Sequence, residues 1–191
     1  MREENIRTVT LLGTPLSQSF AARMQNAAYA AMCLSLALVL PFLTGQIPQI
    51  GSALCPMHLP VLLAGYLCGP WWGMAVGAVA PLLRHVWLGM PPLVTALGMT
   101  FELGTYGLVV GLTYRILPKN LGGIYTSLLC AMVAGRAVWG CAMMVIMGVS
   151  GNPFTWSAFL AGALLNALPG IAVQLVLIPL LVISLRRARI I

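Results

Sequence analysis

Long apolar runs with almost no charge between them limit what this chain can fold into. Only 7% of its 191 residues are charged and 60% are hydrophobic, whereas a soluble domain carries about 25% charged residues. So few charges cannot cover the surface of a water-soluble domain, and the high apolar content excludes a disordered chain. The sequence therefore predicts an all-α polytopic membrane protein.

The apolar runs are long enough for about six transmembrane helices, since each crossing needs about 20 residues. The predicted spans are separated by loops rich in Gly and Pro and cover about residues 23–44, 57–68, 71–88, 93–114, 124–148 and 157–185. Residues 1–22 form a polar N-terminal segment, and residues 23–191 form one transmembrane domain. No G-x-x-x-x-G-K-[ST] motif for nucleotide binding occurs in the sequence.

The net charge of +7 would suggest nucleic-acid binding in a soluble protein. Here, however, most basic residues gather before the first span, in the loop after the fourth and at the end of the last. This is the distribution of the positive-inside rule, so we expect no nucleic-acid partner. Both termini are predicted to be cytoplasmic, together with the loop that carries Arg115 and Lys119.

Some polar or aromatic side chains fall inside the predicted spans, where an unpaired charge costs roughly 2.5–3.5 kcal/mol. These residues are candidates for ligand binding: His58, Arg84, His85, Glu102, Tyr106, Arg136, Trp139 and Asn166. Counting along the spans places His58, Arg84 and His85 towards the outside, and Glu102 and Arg136 near the middle. Glu102 and Arg136 could instead form an ion pair that joins two helices, and Arg84 could reach water, a helix C-terminus or an anionic ligand.

No motif points to catalysis or to a metal. The sequence has no H-E-x-x-H, no G-x-S-x-G and no C-x-x-C among its five cysteines. We therefore expect no catalytic residue, no metal site and no cofactor.

Small residues recur at intervals of four, a spacing that lets helix backbones approach closely in lipid. The series Gly65, Gly69, Gly73 and Gly77 is interpreted as packing within the chain. The pair Ala27 and Ala31 in the first span fits either such packing or a docking surface for another membrane subunit.

Four segments, in this order, carry a resemblance to a known family: PMHLPVLLAGYLCGP (56–70), PLLRHVWLGMPP (81–92), FELGTYGLVVGL (101–112) and NALPGIAVQLVLIP (166–179). Together with the six-span plan and the pair Ala27 and Ala31, they resemble the substrate-binding membrane subunit, or S component, of energy-coupling factor (ECF) vitamin transporters. The resemblance covers about residues 23–185.

The resemblance implies a subunit in the plasma membrane of a bacterium that captures a vitamin or related metabolite at its outer side. It also implies docking, through Ala27 and Ala31, onto a transmembrane coupling subunit that works with two ATPase subunits. The S component then topples in the membrane to release its cargo inward. ATP is hydrolysed by the partners, so the S component itself is not an enzyme.

The substrate is left open between two classes. The PMHLP segment resembles members assigned to pantothenate, for which Arg136 would bind the carboxylate and His58, Tyr106 and Asn166 the hydroxyl or amide groups. If Glu102 neutralises Arg136, a neutral pyridoxine- or pyrimidine-type vitamin stacked on Trp139 is favoured instead. The alternatives outside this class are a membrane scaffold without small-molecule cargo, a stand-alone permease and a membrane enzyme.

Overall fold

The computed structural model describes residues 2–44, 55–149, 151, 155, 159 and 168–188. Within these residues the chain forms six α-helices and no strand, which confirms the predicted all-α class. The helices are α1 (Arg2–Val39, followed by a 3-10 turn, Leu40–Thr44), α2 (His58–Cys68), α3 (Pro70–Leu88), α4 (Leu93–Ile116), α5 (Leu121–Val149) and α6 (Leu168–Arg187). Because α1 begins at Arg2, the polar N-terminal segment continues into the first span as one helix.

Four helical stretches are long and apolar enough to cross a membrane: Phe20–Phe42, Leu93–Ile116, Leu121–Val149 and Leu168–Arg187. Helix α2 has only 11 residues, or about 16 Å, which is half of a hydrocarbon core about 30 Å thick. It ends at Gly69, whose φ of 89° lies in the region that glycine adopts without strain. Pro70 then starts α3, so the predicted break at Gly69–Pro70 is confirmed.

Contacts at the helix ends show that successive helices run antiparallel. At one end of the bundle Arg186 donates a hydrogen bond to the carbonyl of Lys119. The Arg115 guanidinium lies against Gly69 at the turn between α2 and α3. At the other end Arg84 donates to the carbonyl of Leu38, 2.9 Å away. Each contact joins two ends that the sequence places on the same side of the membrane.

Helices α2, α3 and α4 meet at glycines that leave no room for a side chain. A Cβ atom on Gly73 would lie 2.7 Å from the Gly107 carbonyl oxygen and 2.7 Å from the Gly65 Cα, well inside van der Waals contact. This confirms that the glycine series packs within the chain. The close approach fixes α4, the helix that carries Glu102, against α2, the helix that begins at His58.

We expect Gly73→Ala to lower the free energy of unfolding by about 2 kcal/mol, because the added methyl group must push two backbones apart. The matched control is Gly148→Ala, since a Cβ at Gly148 would meet nothing within 4 Å. Thermal unfolding of the detergent-purified variants measures both changes. Equal stability of the two variants would contradict the close crossing of α2, α3 and α4.

Candidate functional site

A buried carboxylate, Glu102, joins three helices. It lies on α4 with 2% of its surface exposed. Its Oε1 accepts a hydrogen bond from Nη1 of Arg136 on α5 at 2.9 Å, so the ion pair considered from the sequence is present. The same oxygen lies 3.4 Å from Nε2 of His58, the first residue of α2. His58 is therefore level with Glu102 rather than further out, because α2 is too short to begin at the membrane surface.

The position of Glu102 also determines what His58 offers to a ligand. An ionised carboxylate only accepts hydrogen bonds, so Nε2 of His58 carries the proton in this contact. In a neutral ring the other nitrogen, Nδ1, then presents a lone pair. The ring is held edge-on to Tyr106, with centroids 5.2 Å apart.

Tyr106 completes this group of side chains. It lies one helical turn after Glu102, and its side chain is close to the carboxylate. Its ring fills the space beside Gly135, where a Cβ would overlap the ring atoms. The glycine before Arg136 thus lets α5 approach Tyr106 closely enough for the ion pair to form.

Several polar atoms of the group have no hydrogen-bond partner among the described residues: Nε and Nη2 of Arg136, and Nδ1 of His58. Nε and Nη2 lie on the same edge of the guanidinium, and this edge matches the two oxygens of a carboxylate. The Arg136 side chain is 15% exposed, so little water reaches it. The group therefore offers two parallel donors beside one nitrogen acceptor.

The comparison with protein families matches residues 25–182 to the model described as ECF transporter, substrate-specific component. The chain belongs to this family. It is therefore a substrate-specific subunit of an ECF transporter, a multi-pass membrane protein with a role in transport. Membership implies association with the coupling and ATPase subunits of an ECF module. The comparisons with curated proteins and with solved structures find no match.

In the S component two of the predicted site residues, Arg84 and His85, have partners other than the Glu102 group. Arg84 donates to the Leu38 carbonyl, and its guanidinium lies 5.3 Å from the Phe42 ring centroid. Of the three partners considered for Arg84 from the sequence, the structure therefore shows the helix C-terminus. His85 places Nδ1 2.8 Å from the Pro91 carbonyl. These contacts join the C-terminal ends of α1 and α3 and the turn that follows α3.

The two remaining predicted residues are Trp139 and Asn166. Trp139 lies one turn after Arg136 and stacks on Phe159, with ring centroids 6.1 Å apart. Asn166 lies outside the described residues. Among the residues that are described, no set of three or more His, Cys, Asp or Glu side chains is placed to hold a metal ion.

Cys55 is a neighbour of the site that the sequence did not reveal. It lies outside the helices, and its carbonyl accepts the backbone N–H of His58 at 3.0 Å. Burial raises the pKa of its thiol to about 11, although the nearby Arg136 opposes this shift. The thiol is therefore neutral at pH 7. Composition alone favours a buried small apolar residue at such a position, so no local signal marks Cys55 as a neighbour of Arg136.

We expect Glu102→Leu to cost about 3–5 kcal/mol of stability, because it leaves the Arg136 charge buried without a partner. Arg136→Met should cost less, since a carboxyl group can take up a proton whereas a guanidinium cannot lose one. The double variant should recover most of the loss seen in Glu102→Leu.

Unfolding of the two single variants and the double variant in detergent gives the coupling between the residues. Strictly additive losses would contradict the mutual neutralisation of Glu102 and Arg136.

Proposed function

We propose that this S component captures a small carboxylate-bearing vitamin, pantothenate foremost, from the outer side of the bacterial plasma membrane. It delivers the vitamin inward together with a transmembrane coupling subunit and two ATPase subunits. The observation that carries the proposal is the edge of the buried Arg136 guanidinium that has no partner among the described residues.

The chemistry of that edge favours a carboxylate. A buried donor without a partner costs free energy, and charged donors cost most. Glu102 accepts from Nη1 and leaves Nε and Nη2 for a second acceptor. Two parallel N–H bonds to a planar anion are the geometry in which arginine binds best. Pantothenate also carries hydroxyl and amide groups, for which Nδ1 of His58 and the predicted ligand Asn166 are suitable partners.

Charge balance adds a condition to carboxylate binding. Glu102 and Arg136 neutralise each other, so a bound carboxylate brings a second negative charge into a buried group. The Nε–H and Nη2–H donors of Arg136 would then have to stabilise that added charge.

A second candidate, a pyridoxine- or pyrimidine-type vitamin, is favoured by the Glu102–Arg136 pair itself. With the pair neutral and His58 uncharged, the site presents donors and an acceptor to an uncharged heteroaromatic ring, and Trp139 supplies a stacking surface. Titration calorimetry with pantothenate and with pyridoxine separates the two classes, since it measures the affinity of the purified S component for each vitamin.

We expect Arg136→Lys to weaken pantothenate binding about tenfold or more. Lysine keeps the charge beside Glu102 but loses the planar pair of donors. The matched control is Arg84→Lys, which alters the contact with Leu38 and should leave the affinity unchanged. Titration calorimetry on the purified S component measures both. An unchanged affinity in Arg136→Lys would contradict the carboxylate assignment, and a loss confined to Arg84→Lys would move the anion site to Arg84.

The docking proposal concerns the first span. Ala27 is half-buried and Ala31 is exposed on α1, so the surface around Ala31 is available to a partner. We propose that these two residues contact the transmembrane coupling subunit, because small side chains allow close approach between helices in lipid.

We expect Ala31→Trp and Ala27→Trp to abolish vitamin uptake in cells that hold the whole transporter, while the purified variants bind ligand normally. Val133→Trp, at an exposed position on α5, is the control and should leave uptake intact. Loss of ligand binding in the alanine variants would show that the substitutions disturb the fold rather than docking.

A further inference from the structure

Gln174 is a buried polar side chain for which the described part of the chain provides no partner. It lies on α6 with 1% of its surface exposed. Neither Nε2 nor Oε1 of its carboxamide has a hydrogen-bond partner within the described residues. A buried amide with both groups unpaired destabilises the fold, so a residue in this state calls for a role that the helix bundle alone does not explain.

The face of α6 that carries Gln174 is turned towards the rest of the bundle. Gly170, Gln174, Ile178 and Val182 are buried at intervals of four residues, which is the spacing of one side of a helix. Helix α6 packs against α2 and α5. These are the helices that carry His58 and Arg136.

The helix lengths give the depth of Gln174. Arg186 contacts Lys119, so the inner end of α6 is level with the loop before α5. Gln174 precedes Arg186 by 12 positions, or about 18 Å of helix. Arg136 follows Leu121, the first residue of α5, by 15 positions, or about 22 Å. Gln174 and Arg136 therefore lie at similar depths in the bundle, within about one helical turn of each other.

We propose that Gln174 is a further ligand-binding residue, which contributes to the site at about the depth of Arg136. This assignment rests on the proposed function and extends it. A carboxamide both donates and accepts, so it recognises a ligand group that does the same, such as a secondary amide or a hydroxyl. The preferred substrate then carries a carboxylate for Arg136 and, further along, an amide or hydroxyl for Gln174.

The test separates a ligand-binding amide from a merely buried one. Gln174→Met keeps the length of the side chain and removes both polar atoms. We expect the ligand-free variant to melt at a higher temperature than the wild type, because the unpaired groups are gone. Its affinity for pantothenate should fall at least fivefold. Ile178→Met, one turn further along the same face, is the control and should leave the affinity unchanged.

Each outcome of the calorimetric and thermal measurements decides the assignment. A raised melting temperature with unchanged pantothenate affinity overturns it, as does an equal loss of affinity in Gln174→Met and Ile178→Met. If the wild type binds neither pantothenate nor pyridoxine, the proposed function fails and the role of Gln174 fails with it. If wild type and Arg136→Lys behave as expected and only Gln174→Met does not, the proposed function stands and this inference alone is wrong.

Discussion

A carboxylate inside a bilayer has to be neutralised by groups from neighbouring helices, and Glu102 meets this requirement with Arg136 and His58. The two partners come from different helices, so the carboxylate fixes the relative positions of α2, α4 and α5. The same contact leaves one edge of Arg136 and one nitrogen of His58 without partners among the described residues. The interaction that holds the helices together thus also exposes the groups that are suited to a ligand.

The glycines of α2, α3 and α4 make this arrangement possible. A helix pair with ordinary side chains between its members is separated by 8–10 Å, whereas Gly65, Gly73 and Gly107 bring backbone atoms into direct contact. Gly135 plays the corresponding part between α5 and Tyr106. Backbone contact of this kind leaves little freedom for helices to slide, and a site built from single side chains on three helices depends on that rigidity.

Local properties of the sequence predicted the transmembrane helices and raised one of the central contacts as an alternative. The long apolar runs and the Gly69–Pro70 break can each be recognised in a short stretch of sequence. Glu102 and Arg136 are opposite charges near the middle of their predicted spans. The depth of His58 in the helix bundle could not be predicted in this way, because it depends on where α2 begins relative to α4. The same holds for Arg84, whose partner is a backbone carbonyl at the end of α1, and for Cys55, whose neighbour Arg136 is distant in the chain.

Helix α2 can be short because protein surrounds it. Eight of its 11 residues are buried, and α1, α3, α4 and α6 all pack against it. A helix in contact with lipid must match the thickness of the hydrocarbon layer or deform it, but an enclosed helix is exempt from this hydrophobic mismatch. The length of α2 is therefore set by the depth at which the site lies, whereas the length of α4 is set by the thickness of the bilayer. Across membranes of different thickness, the lipid-facing helices would absorb the adjustment and His58 would stay level with Glu102.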